Sequence, residues 1–145
     1  MIRRARTDEN VALAALYERS YGTLAFLPRL HTLAEYEEFL ARHIRQDDTW
    51  VWDEDGAVLG FMILRGEELF LLYLEPAHTG RGIGSRLLDH AKRERPGGFT
   101  LWTFQQNDGA RRFYERHGLE AVELTDGSGN EEKTPDVRYA WKPSA

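Results

Sequence analysis

The sequence predicts one α/β domain, residues 1–145, with a mixed, mostly antiparallel sheet of about seven strands flanked by four helices. Three observations carry that prediction. Apolar residues recur at helical spacing up to about residue 46 and then switch to short strand-like runs. Two tight-turn signals, Asp55-Gly56 and Arg65-Gly66-Glu67, join three consecutive runs as an antiparallel meander. Beyond residue 75, helical and strand segments alternate, and a glycine-rich turn opens the first of those helices.

The elements follow in order. Ile2 to Arg6 suits a short strand, and Thr7 suits a helix N-cap, with Asp8 and Glu9 putting negative charge in the first turn. Val11, Ala12, Ala15 and Leu16 give that helix its apolar stripe. The loop from Gly22 to His31 carries Phe26, Leu27 and Pro28, so it either packs on the core or lines a pocket. Thr32-Leu33-Ala34-Glu35 reads as a capping box, followed by Leu33, Tyr36, Phe39, Leu40 and Ile44 at helical spacing. Thr49–Asp53, Ala57–Arg65 and Glu68–Leu74 are the meander strands. After the glycine-rich turn, Ile83, Leu87, Leu88 and Ala91 share one helical face, which Pro96-Gly97-Gly98 ends. Phe99–Phe104 is a strand, and Asn107-Asp108 caps a helix from Gly109 to His117, with Gly118 at its C′ position. Ala121–Thr125 and Val137–Trp141 close the chain as a hairpin around the polar loop Asp126 to Asp136, which reads as a solvated tip or as a lure for an amine.

Composition narrows the function. Hydrophobic residues make up 41%, aromatic residues 12% and charged residues 30%, the balance of a globular chain. Nineteen Lys and Arg against 24 Asp and Glu leave a net charge of −5, which argues against nonspecific nucleic-acid binding by counterion release. There is no cysteine, hence no disulfide, thiolate metal site or acyl-cysteine route. The five histidines show no metal-ligand spacing, so no metal is expected. The charged N-terminus has no signal-peptide core, and no apolar run approaches the roughly 20 residues of a membrane span. The expectation is a cytoplasmic protein without membrane partners.

The stretch Glu75-Pro76-Ala77-His78-Thr79-Gly80-Arg81-Gly82-Ile83-Gly84-Ser85 lies between a strand and a helix. A helix N-terminus offers free N–H groups and positive potential, and glycines let a phosphate approach the backbone. Neither nucleotide fingerprint fits. No Gly-Lys pair exists for a P-loop, and Ser85 stands where a dinucleotide fold needs its third glycine.

Here the residues resemble the GCN5-related N-acetyltransferase superfamily. Its phosphate motif, Gln/Arg-x-x-Gly-x-Gly/Ala, appears as Thr79-Gly80-Arg81-Gly82-Ile83-Gly84, with Thr79 departing from the usual Gln or Arg and Arg81 offering a compensating charge. A second family motif, Asn-x-x-Ala-x-x-Phe-Tyr-x-x-x-Gly-Phe, stands as Asn107 to Leu119, with Leu119 in the last place. The two are 25 residues apart, from Gly82 to Asn107, with a strand between.

The resemblance implies the acyl-CoA N-acyltransferase fold along almost the whole chain and acetyl-CoA as cosubstrate. It implies transfer of an acetyl group to a primary amine, of a small molecule or a peptide, by direct attack in a ternary complex. It places the pantetheine arm beside Leu72, Tyr73 and Leu74, and the pyrophosphate on Thr79, Gly80, Arg81, Gly82, Ile83, Gly84 and Ser85. Asn107 and Phe113 complete the donor site. Tyr114 becomes the general acid, since a phenol of pKa about 10 can protonate a developing thiolate of pKa about 8.5; by spacing alone it would be a packing residue. Glu68, Glu75, His78, His31, Glu35 and water are the candidates for the general base. Acceptor recognition falls to residues 21–31, the second helix and the loop 126–136. Homodimers are common among such proteins. The alternatives are a noncatalytic acyl-CoA-binding or sensor module of the same fold, and a transcription-linked enzyme acting on lysines of a protein partner.

Overall fold

A computed structural model describes residues 1–143; residues 144 and 145, the end of the expected domain, lie outside the described residues. The elements are β1 (Ile2–Arg4), α1 (Asn10–Tyr21), α2 (Leu33–Gln46), β2 (Asp48–Glu54), β3 (Ala57–Arg65), β4 (Glu68–Leu74), a 3-10 turn (Pro76–His78), α3 (Ile83–Glu94), β5 (Phe99–Phe104), α4 (Asp108–Arg116), β6 (Glu120–Leu124) and β7 (Asp136–Trp141). One seven-stranded sheet runs in the order β1-β2-β3-β4-β5-β7-β6. Every neighbouring pair is antiparallel except β4 and β5. The α/β class, the meander and the closing hairpin are therefore as the sequence predicts.

The central strand explains its own composition. Phe61 and Ile63 of β3 enter one core with Leu13, Leu16, Tyr36 and Leu40 of α1 and α2. The intervening Met62 and Leu64 enter a second core with Leu87, Leu88 and Tyr114 of α3 and α4. Successive strand residues face opposite ways, so a strand covered on both faces must be apolar at almost every position. The β2–β3 turn places Asp55 and Gly56 at φ of 53° and 90°, the left-handed pair that a two-residue hairpin needs.

The N-terminal segment departs from expectation. β1 stops at Arg4, and α1 starts at Asn10 without a side-chain cap, so Thr7 does not cap it. Glu9 dominates this turn: its carboxylate accepts from the Arg6 N–H at 2.7 Å and from the two terminal guanidinium nitrogens of Arg3 at 2.9 and 2.8 Å. The later start rotates the buried face onto Leu13, Ala14 and Leu16, leaving Val11 and Ala12 exposed. In α2 the capping box forms, with the Glu35 N–H on Thr32 Oγ1 at 3.2 Å and the Thr32 N–H on Glu35 Oε1 at 2.9 Å. Its buried residues are Tyr36, Leu40 and His43, while Leu33 stays exposed.

All six tyrosines are drawn into the fold, and burial pushes every one of their pKa values up, that of Tyr73 to about 12. The unfolded chain ionises its phenols near pH 10. Folded-state values lie higher, so this contribution to stability is complete below pH 10 and is lost as pH rises through the folded values. Urea midpoints should therefore fall steeply from pH 10 towards about 12, with phenolate absorbance appearing only as the chain unfolds. Ordinary phenolate titration near pH 10 in a chain with native circular dichroism would contradict this. Replacing the fully buried Leu87 of α3 by Ala should lower stability by about 2–5 kcal/mol at an unchanged urea m-value.

Candidate active site

The single parallel contact in the sheet is also its weakest. β4 and β5 register only at Glu68 and Thr100, backed by the Thr100 N–H on the Glu67 carbonyl at 3.0 Å. On its outer side β4 stays paired with β3 through Leu74, and β5 stays paired with β7 through Phe104. The inner edges therefore part after one residue and leave main-chain groups of both strands facing a gap. A cavity of about 560 Å³ opens there, lined by Leu72 and Tyr73 of β4, residues 101–104 of β5, Asn107 at the cap of α4 with Ala110 and Tyr114 along that helix, and side chains of α1, α2 and the β6–β7 loop.

Tyr114 is 8% exposed and lines this cavity. Burial, with Tyr73 beside it, holds its phenol protonated well above the ordinary range. Asn107 Oδ1 accepts the Ala110 N–H at 3.1 Å, so Asn107 caps α4 while lining the same cavity. Opposite them, Tyr17 is stacked between Tyr36 and Tyr73, at centroid distances of 4.9 and 4.6 Å. The Gly22–His31 loop both packs and lines: Leu27 is buried, whereas Leu24 and His31 reach the cavity.

The glycine turn lies beyond the end of β4, outside the cavity wall. Gly80 and Gly82 sit at φ of 80° and 84°, and a Cβ at either would meet open space. Gly82 begins α3 without a side-chain cap, so the first-turn N–H groups of α3 are available to an anion. A Cβ on Gly84 would touch both Leu74 and Phe113 at 3.4 Å, so these three residues meet where the turn joins the strand. Ile83 points into the core and offers only its backbone outward. Ser85 Oγ lies 3.0 Å from His117 Nε2. Thr79 Oγ1 donates to the Pro76 carbonyl at 3.2 Å. Arg81 is not poised over the helix end: its guanidinium donates to both Glu54 oxygens at 3.0 Å and meets His78 Nδ1 at 2.7 Å.

The five base candidates separate by position. Glu68 pairs with Arg65 at 2.8 Å, Glu75 takes two bonds of 2.7 Å from Arg19, and His78 meets Arg81; none lines the cavity. His31 and Glu35 do line it. His31 is held from both sides, by Glu35 at 3.3 Å and by Glu131, and these carboxylates raise its pKa. The loop 126–136 is thus no mere solvated tip, because Glu131 and Glu132 reach across to the cavity. Sequence reasoning missed these two glutamates individually, together with Tyr17; the four-residue spacing of Tyr17 and Tyr21 on one helix was the available signal.

Among the described residues, no helix is long and apolar enough to cross a membrane. A family model described as acetyltransferase (GNAT) domain matches residues 45–120, from the end of α2 to the first residue of β6. Peptidyl-lysine N-acetyltransferase YjaB of Salmonella typhimurium (strain LT2) is 37% identical over 124 residues, 83% of each chain. The solution structure of apo-form YjaB from Escherichia coli superposes with a TM-score of 0.81 at 27% identity, covering 99% of this chain and 98% of that one. The crystal structure of PaiA N-acetyltransferase from Thermoplasma acidophilum in complex with coenzyme A shares the fold, with a TM-score of 0.79 at 24% identity and 98% of each chain covered. With the splayed strands, the uncapped glycine turn and these relatives together, the chain belongs to the GCN5-related N-acetyltransferase family and is an acetyltransferase.

Proposed function

We propose that residues 1–145 work as one domain that moves an acetyl group from acetyl-CoA to a primary amine by direct attack in a ternary complex, and that the amine is a peptide lysine. The observation that carries this reading is the one-residue contact between β4 and β5, which opens a cavity with Tyr114 in its wall. The lysine assignment leans on the relative named a peptidyl-lysine N-acetyltransferase, and the donor on the coenzyme A held by a neighbour of the same fold.

The chain's own groups fit such a donor. The uncapped turn of α3, with open space over Gly80 and Gly82, suits a pyrophosphate. Main-chain groups of Leu72, Tyr73 and Leu74 at the unpaired edge suit an amide-bearing arm, with Asn107 in the cavity wall and Phe113 beside Leu74 and Gly84 where the turn joins the strand. Bound acetyl-CoA supplies the activated thioester. A β4 N–H in the gap serves the oxygen that gains charge during attack, where a preorganised donor in a water-poor site counts most.

Proton accounting sharpens the role of Tyr114. The incoming ammonium loses one proton to become nucleophilic and a second as the C–N bond replaces the C–S bond. One proton ends on sulfur and the other in solvent. Burial makes the Tyr114 phenol a weaker acid than usual, and a thiol ionises near pH 8.5. Complete transfer from phenol to thiolate is uphill; Tyr114 instead donates a hydrogen bond as charge grows on sulfur, and the nitrogen's second proton completes the balance. With no cysteine in the chain, no acyl-cysteine intermediate forms.

Calorimetric titration with acetyl-CoA should show saturable binding, lost in the Gly82→Asp/Gly84→Asp chain. No binding at about millimolar donor would overturn the reading. Tyr114→Phe should cut kcat for thiol release by about a hundredfold or more, with acetyl-CoA affinity held within about threefold. Saturable binding without thiol release from any amine would instead identify a noncatalytic acyl-CoA-binding module.

A further inference from the structure

The cavity is electrostatically lopsided. Its wall carries four carboxylates, Glu35, Glu38, Glu131 and Glu132, against two side chains able to be cationic, His31 and Arg42. The carboxylates are not equivalent. Glu35 closes the capping box and, with Glu131, clasps His31. That clasp ties the β6–β7 loop to α2 and consumes both charges. Arg42 leans over the Phe39 ring at 5.9 Å. Neither Glu38 nor Glu132 has a salt-bridge partner among the described residues, and of the two it is the Glu132 charge that bears on the phenols of Tyr17, Tyr21, Tyr36 and Tyr73. The Thr134 hydroxyl bonds to the Glu132 backbone carbonyl at 3.0 Å, so that contact leaves the carboxylate uncommitted.

Glu132 of the β6–β7 loop and Tyr114 of α4 line the same cavity. Behind burial, the Glu132 charge helps push up the phenols of Tyr17, Tyr21, Tyr36 and Tyr73, whereas Tyr114 responds to burial and then to Tyr73. Tyr73 lines the same cavity, stacked on Tyr17 at 4.6 Å. The nine-tenths-buried Tyr114 phenol marks the cavity as built for a ligand, and the uncommitted Glu132 carboxylate gives it a group that would take a cation. The stacked rings of Tyr17 and Tyr73 form an aromatic wall whose faces favour alkyl chains and cations.

We infer that the site selects an acceptor carrying a second positive charge beyond the reacting amine, held by Glu132 while its carbon chain lies along Tyr17 and Tyr73. This rests on the acetyl-transfer reading for which end reacts. The same chemistry arises in a lysine beside a basic residue of a peptide or in a small diamine.

Binding calorimetry at low salt, without acetyl-CoA, tests the inference independently of turnover. The probes are 1,5-diaminopentane against pentylamine, and a blocked Lys-Arg dipeptide amide against its Lys-Ala counterpart. The wild-type chain should bind the dication of at least one pair about tenfold more tightly, the worth of one charge-assisted hydrogen bond. In Glu132→Gln that ratio should fall to about two or less for the diamine pair, the statistical advantage of two equivalent amines, and to about one for the dipeptide pair. Whichever pair discriminates identifies the source of the second charge. Equal binding within a pair for both pairs, a ratio that survives in Glu132→Gln, or no binding of any acceptor would overturn the inference. Failure of the acetyl-transfer reading registers separately, as absent acetyl-CoA binding.

Discussion

The site depends on one constraint: β4 and β5 run parallel and touch at a single residue pair. A parallel neighbour has to be reached by a crossover, and here α3 provides it, entered through the glycine turn and left through Pro96-Gly97-Gly98. The outer edges of both strands are held by full antiparallel ladders. The inner edges can therefore diverge without loosening the sheet. Divergence would ordinarily be costly, because buried main-chain groups need partners. A ligand with its own amides is a natural answer to that demand.

Burial then sets the chemistry of the cavity. Its tyrosines are kept neutral by desolvation rather than by ion pairs, so the walls offer hydroxyl donors and ring faces without fixed charge. Charge enters chiefly from outside the sheet, from α2 and the β6–β7 loop. The clasp of His31 by Glu35 and Glu131 joins those two segments, although the two glutamates are far apart in sequence. A loop that seems free to be solvated becomes a wall because its carboxylate accepts from one histidine on the far side.

Legibility in the sequence followed the range of each interaction. The capping box of Thr32 and Glu35, the Asp55-Gly56 turn and the Asn107 cap are contained within four residues, and each formed as read. The start of α1 was misread because its determinant is not local. Arg3, anchored on Asp53 at 2.9 Å, takes Glu9 as a second partner, so Thr7 cannot cap and the buried face rotates. Arg81 was read as a charge beside the glycine turn, yet Glu54, 27 residues earlier, holds it.

The sequence by itself determined the strand and helix order, the glycine turn with its exposed N–H groups, the Asn107–Tyr114 motif and the absence of any thiol nucleophile. Those properties reside in period, backbone freedom and residue chemistry, which neighbours along the chain already define. Only the tertiary structure decided which candidate bases face the cavity, which of its carboxylates are left uncommitted, and that the Tyr114 phenol is buried and stays protonated above the ordinary range. Desolvation and ion pairing are properties of what surrounds a group, and the surroundings of Tyr114, His31 and Glu132 are assembled from segments up to 100 residues apart.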